Sequence, residues 1–200
     1  MAKDNSALII GIIAALIVLG TVIYFSDFNS TNVYQYSNGD SIFDVNVLNE
    51  VETQIRITIG DSEEAYILNL RNDPLSLEDI SVTGNIAQRI INDQEIYIVI
   101  NPNAGLSSKA TIAALEIDKI IDNQFFYNIP VSSAMTEEYG EYPIVTCDMA
   151  NDEYSVIYLG VADETAVYVD GYCIIVEGAD EDDLIRAADR LSLHLLGIMS

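Results

Sequence analysis

Nineteen consecutive residues, 7–25, read ALIIGIIAALIVLGTVIYF and hold neither a charge nor a proline. At the helical rise such a run reaches about 28 Å, close to the ~30 Å hydrocarbon thickness of a bilayer. No other feature constrains the chain as strongly, because it divides the sequence into a spanning segment and whatever folds after it. A secretory leader would have a shorter apolar core and a small-x-small cleavage site, whereas this run leads into TVIYFSDF. The expectation is an uncleaved anchor over 7–25, with 1–6 on the cytoplasmic side, a stalk over 26–32 and one domain over 33–200.

Charge gives the orientation. Lys3 and Asp4 precede the run, and of the chain's 8 basic and 32 acidic residues all the others follow it. The positive-inside bias therefore keeps the N-terminus in the cytoplasm and places the acidic domain outside. A sequon, Asn29-Ser30-Thr31, falls in the polar stalk and makes Asn29 a glycosylation candidate there. The only two cysteines, Cys147 and Cys173, read as one disulfide in an oxidising compartment. Closing that loop stabilises a fold by roughly 3–4 kcal/mol in the chain-entropy model.

A net charge of −24 excludes nucleic acid as a partner, since phosphate binding needs clustered Lys and Arg. The acidic turns read first as a solvated surface. A divalent cation such as Ca2+ would find hard oxygen ligands at Asp148, Asn151, Asp152 and Glu153, or at Asp163 with Glu164. No EF-hand spacing is present.

The periodicity past residue 40 alternates. SIFDVNVLN, TQIRITIG and AYILNL show period two between turn signals and predict an antiparallel meander. Residues 85–92 suit a short helix or a further strand. EIYIVI (95–100) predicts a buried strand, and NPNAGLSS a turn in which Ser107 or Ser108 caps a helix to about residue 122. Ala110, Ala113, Ala114, Ile117, Ile120 and Ile121 share one face of that helix, opposite Glu116, Lys119 and Asp122. FFYNIPV (125–131) then predicts a strand, completing a βαβ unit. YSVIYLG, TAVYVD and CIIVEG predict three more strands. In the last helix Leu184, Ala188, Leu191, Leu195 and Ile198 form a stripe, Asp180–Asp183 crowd the start, and Arg186 has Asp182 and Asp189 as helical partners. The fold class expected is mixed α/β: a meander, one βαβ unit and a C-terminal helix, preceded by one transmembrane helix.

Parallel strands put the loops after 95–100 and 125–131 on one sheet edge, the place where open α/β sheets bind ligands. A ligand cleft is therefore expected between Asn101, Asn103, Ser107 and Ser108 on one loop and Ser132, Ser133 and Glu137 on the other, with a helix N-terminus aimed into it. A sugar hydroxyl or a small anion would suit it. The competing view is two ordinary polar loops. His194, the sole histidine, reads as a boundary residue. No serine lies in a G-x-S-x-G elbow, no CxxC occurs, and NPNAGLSSKAT lacks the phosphate-loop pattern.

Four stretches, LRNDPLSLEDI, KATIAALEIDKIIDNQFFYNIPVSSAM, TCDMA and YCIIVEGADEDDLIRAADRLSLHLLGIM, resemble uncharacterised archaeal proteins with one N-terminal membrane span and an acidic outer domain. The resemblance covers much of 65–199. It implies an archaeal cell-envelope setting with Cys147 and Cys173 as the matching cysteines, and it brings no activity. The expectation is a membrane-anchored ectodomain with a structural or binding role, its partners being the membrane, envelope proteins or glycans, with no catalytic residue assigned and no cofactor required. Two rivals stand beside it. One is an envelope-directed hydrolase using the 101–108 and 132–138 loops, with Glu137, Glu138 and Glu141 as unpaired acids. The other is a pilin-like filament subunit.

Overall fold

The computed structural model describes residues 32–59 and 65–200. The expected anchor at 7–25, the residues before it, the stalk up to 31 and Asn29 lie outside the described residues. Among those described, no helix is long and apolar enough to cross a membrane.

The domain opens with a four-stranded meander, β1 (Asn32–Asn38), β2 (Ser41–Asn49), β3 (Glu52–Thr58) and β4 (Ala65–Leu70), hydrogen-bonded in sequence order. Alternation explains it. Val45, Ile55 and Leu68 point inward and are buried, while Asp44, Arg56 and Ile67 point outward. Strand β1 is one more than expected, and it begins where a stalk was expected to end. Its Tyr34 and Tyr36 pack on the core, and the Tyr34 hydroxyl donates to Asp73 at 2.6 Å.

A six-stranded mixed sheet follows, ordered β5-β9-β10-β8-β6-β7. Its strands are β5 (Ser81–Thr83), β6 (Glu95–Ile100), β7 (Val131–Met135), β8 (Tyr154–Val161), β9 (Ala166–Asp170) and β10 (Cys173–Gly178). Strand β6 pairs in parallel with β7 and β8, β8 with β10, and β9 runs antiparallel to β10. The helices are α1 (Ile86–Ile90), α2 (Ser108–Ile121) and α3 (Glu181–Leu195).

The βαβ unit β6-α2-β7 forms, with its second strand displaced from the expected FFYNIPV to VSSAM. Residues 123–128 make a turn instead. The Asn123 side chain accepts from the Phe125 amide, its carbonyl accepts from Phe126 and Asn128, and Asn128 adopts a left-handed φ of 54°. Phe126 meets Tyr66 edge-on at 5.1 Å, and the Tyr127 hydroxyl donates to the Leu195 carbonyl at 2.7 Å. The aromatic run thus caps the core rather than extending the sheet.

Helices α2 and α3 pack side by side, and one apolar cluster joins them to the inner face of the meander and to Ile96, Ile98, Ile157, Leu159, Ile174 and Val176 of the larger sheet. This sandwich alters the reading of α3. A single stripe was expected, yet every residue from Ala187 to Leu193 is buried. The polar residues among them carry partners, as burial requires. Asp189 accepts from the Asn72 backbone and side chain at 2.8 and 2.9 Å, Arg190 donates to the Ile80 and Ser200 carbonyls, and Ser192 donates to the Glu116 carbonyl. Glu116, expected on the outer face of α2, is buried as well. Arg186 pairs with Asp183 and with Asp79 from outside the helix, not with Asp182 or Asp189.

The opposite face of the sheet carries a smaller cluster, Val99, Ala134, Val145, Val156, Cys173 and Ile175. No helix covers it. The segment 143–151 lies there instead, pairing with the end of β7 (Met135 to Pro143, Val145 to Met135, both 2.9 Å) and joined to β10 by the Cys147–Cys173 disulfide. Arg89 of α1 donates to the Asn151 carbonyl and stacks on Tyr172 at 4.5 Å.

Candidate functional site

The carboxyl ends of β6, β8 and β10 share one edge, and the two long helices begin there. Ser107 caps α2 and accepts from the Lys109 amide. Asp180 caps α3, accepting from the amides of Asp182 and Asp183 at 2.8 and 2.9 Å, and those bonds hold its carboxyl below the usual range. Gly178 makes this convergence sterically feasible. A Cβ there would sit 2.1 Å from the Leu184 amide nitrogen and 2.5 Å from the Asp180 carbonyl oxygen.

Two hollows flank the 101–107 loop. One, about 250 Å³, is lined by Asn101, Pro102 and Leu106 of the loop, Thr111 of α2, and Tyr139 and Tyr142. Both tyrosines are half exposed. The other, about 500 Å³, runs from Ala104–Ser107 and Lys109 to Val161 and the acids Asp180–Asp182. Leu106 and Ser107 belong to both.

The expected cleft residues divide between these places. Asn101 accepts from the Asn103 amide at 2.8 Å, and Asn103 donates across to Glu137 at 2.7 Å, so the two loops do meet. Ser107 donates its amide to Glu181 at 2.9 Å and its hydroxyl to the same carboxylate. The N-terminus of α2 is therefore capped by an acid from α3, in the position where a small external anion was expected. Ser108 is the exposed first residue of α2. Ser132 and Ser133 lie within β7, displaced from the cleft by the shift of that strand. Ser132 donates to Glu95 at 2.6 Å on the opposite sheet face, where Tyr97 also donates to Glu95 and the two hydroxyls hold that carboxylate below its usual range.

Tyr139 and Tyr142 were not singled out from sequence, although the stretch TEEYGEYP repeats an aromatic three residues on among acids, and that spacing is the signal that marks them. Among the described residues no three His, Cys, Asp or Glu side chains come together to hold a metal ion, the set Asp148, Asp152 and Glu153 included. Asn151, beside them, uses its side-chain oxygen to accept the Glu153 amide at 2.8 Å. His194 lies in the last turn of α3, where burial and Arg190 lower its pKa.

Between α2 and α3 lies a pair of buried acids that sequence did not reveal. Burial, with Glu116 beside it, pushes the Asp189 carboxyl up to about 8. Glu116 in turn holds Lys119 and lies 3.4 Å from Arg71.

No family model matches this chain, and neither a curated protein nor a solved structure matches it.

Proposed function

We propose that this chain is an extracytoplasmic binding domain held at a membrane by residues 7–25, with its ligand seated between Tyr139, Tyr142 and the 101–107 loop. The observation that carries this reading is that two half-exposed tyrosines line one small hollow together with Asn101, Thr111 and Ser107, at the carboxyl edge of a largely parallel sheet. A sugar matches that chemistry, with C–H faces for the rings and hydroxyls for the amide and hydroxyl groups. An envelope glycan is thus the ligand class proposed. The disulfide supports an oxidising compartment and hence an outward-facing domain. The resemblance to archaeal envelope proteins and the uncharged run at 7–25 agree with that side of the membrane.

Binding of oligosaccharides to the full-length protein in detergent, read by calorimetry, tests the site. Tyr139→Ala and Tyr142→Ala should each weaken affinity about tenfold, the effect of losing ~1–2 kcal/mol of ring contact. Unchanged affinity in both variants would remove this hollow as the site. Protease added to sealed vesicles tests the topology, and survival of the intact domain in right-side-out vesicles would contradict it.

A further inference from the structure

Seven of the eight basic side chains lie within the described residues, Lys3 being the exception, in a chain of net charge −24. Three of those seven, Arg71, Lys109 and Arg186, line a single hollow of about 340 Å³ between the β2–β3 turn and the first turns of α2 and α3. Its apolar lining is aliphatic: Val51 on the exposed turn, with Ile112 and Ile185 from the helices. Each of these cations has an acidic partner, but three of them over apolar carbons make this hollow unlike the rest of so acidic a surface. We propose that this groove binds an aliphatic monocarboxylate, the carboxylate between Arg71 and Lys109 and the hydrocarbon on Val51, Ile112 and Ile185.

Each part of that ligand follows from the lining. Arg186 is committed, donating to Asp183, Asp79 and the Ser76 carbonyl, so the ligand carboxylate is assigned to the other two cations. Arg71 has one acidic partner among the described residues, Glu116 at 3.4 Å through Nε, and Glu116 already holds Lys119. Lys109 pairs with Asp182 at 2.6 Å, an exposed ion pair of small net worth that an incoming carboxylate can replace. Glu50 and Asp182 also line the hollow and oppose a second negative charge, which disfavours phosphate and dicarboxylates. The aliphatic lining gives a bare inorganic anion nothing to bury. A branched chain of four or five carbons matches it, whether as the C-terminal Leu, Ile or Val of a peptide or as a free short-chain acid. This groove shares no lining residue with the tyrosine hollow, so the two sites stand or fall separately.

The test is calorimetric titration of the full-length protein with N-acetyl-alanyl-leucine, its C-terminal amide and 4-methylpentanoate at neutral pH. The expected result is binding of at least one acid, with the amide at least tenfold weaker than its parent peptide. Tighter binding of the peptide assigns the natural source to protein C-termini, and tighter binding of 4-methylpentanoate assigns it to free acids. Arg71→Gln should cost at least tenfold. Because Arg71 also touches Glu116, Val51→Asp on the exposed turn gives an independent arm that leaves the core untouched and should abolish binding. Equal affinity for acid and amide, no binding of either acid, or an unchanged affinity in Val51→Asp would each overturn the proposal.

Discussion

The two faces of the six-stranded sheet are closed by different means. Neighbouring residues of β10 show it: Ile174 points into the large cluster under α2 and α3, and Ile175 points into the small one under segment 143–151. The first side is held by area, since two helices and a second sheet bury a continuous aliphatic core. That side pays with polar groups trapped in its middle, Asp189 and Glu116 above all. The second side has little area and is held by a covalent bond between Cys147 and the first residue of β10. One side of the domain should therefore answer to pH and the other to reductant.

Truncation of the two isoleucines probes the difference in area. Ile174→Ala should destabilise by about 4 kcal/mol, near the upper part of the range for a fully enclosed site, measured by urea denaturation. Ile175→Ala should cost about 2 kcal/mol, because its cavity can be filled by movement of a loop. Equal losses would break the comparison. Between these in size stands the double variant Cys147→Ser with Cys173→Ser, expected to lose roughly 3–4 kcal/mol, with proteolysis beginning inside 136–151. First cleavage in α3 would show that the bond supports the helix side instead.

The pH response belongs to Asp189. Its folded-state pKa is raised from 3.8 to about 8, so between those values the folded protein keeps a proton that the unfolded chain has released. Its contribution to stability is complete below about pH 4 and is lost as pH rises toward about 8. Asp189→Asn keeps an acceptor for Asn72 and supplies a donor toward Glu116 without the charge. It should exceed the parent in stability by roughly 1–4 kcal/mol at pH 8, with the gap closing toward pH 4. A gap independent of pH would contradict the assignment. Reductant should leave that pH dependence in place, since the disulfide lies on the other face.

Most of this architecture was legible as pattern. Period-two alternation marked the meander strands β2 to β4, while a cap at Ser107 or Ser108 and the acids 180–183 marked the starts of both long helices, which the structure caps with Ser107 and Asp180. The failures share a cause, which is that local pattern does not report what lies on the far side of an element. FFYNIPV has strand composition, but Asn123 and Asn128 supply turn chemistry and its rings find partners in Tyr66 and Leu195. Asp189 and Arg190 look like the wet face of an amphipathic helix until Asn72, Ile80 and Glu116 close on them. The candidate site was half legible. The sheet edge and the meeting of Asn103 with Glu137 followed from parallel strands, whereas a shift in β7 removed Ser132 and Ser133 and brought Tyr139 and Tyr142 to the edge.

The bond between Cys147 and Cys173 fastens one face of the sheet and implies an oxidising compartment. Protein isolated from its native source without reductant, unfolded in urea so that buried Cys173 is reachable, and treated with iodoacetamide gives the decisive peptide map. The expected result is a single linked pair of peptides joined through Cys147 and Cys173, with no alkylated cysteine. Full alkylation of both thiols would contradict it, leaving the second face of the sheet without its fastening and the outward-facing assignment without its structural support.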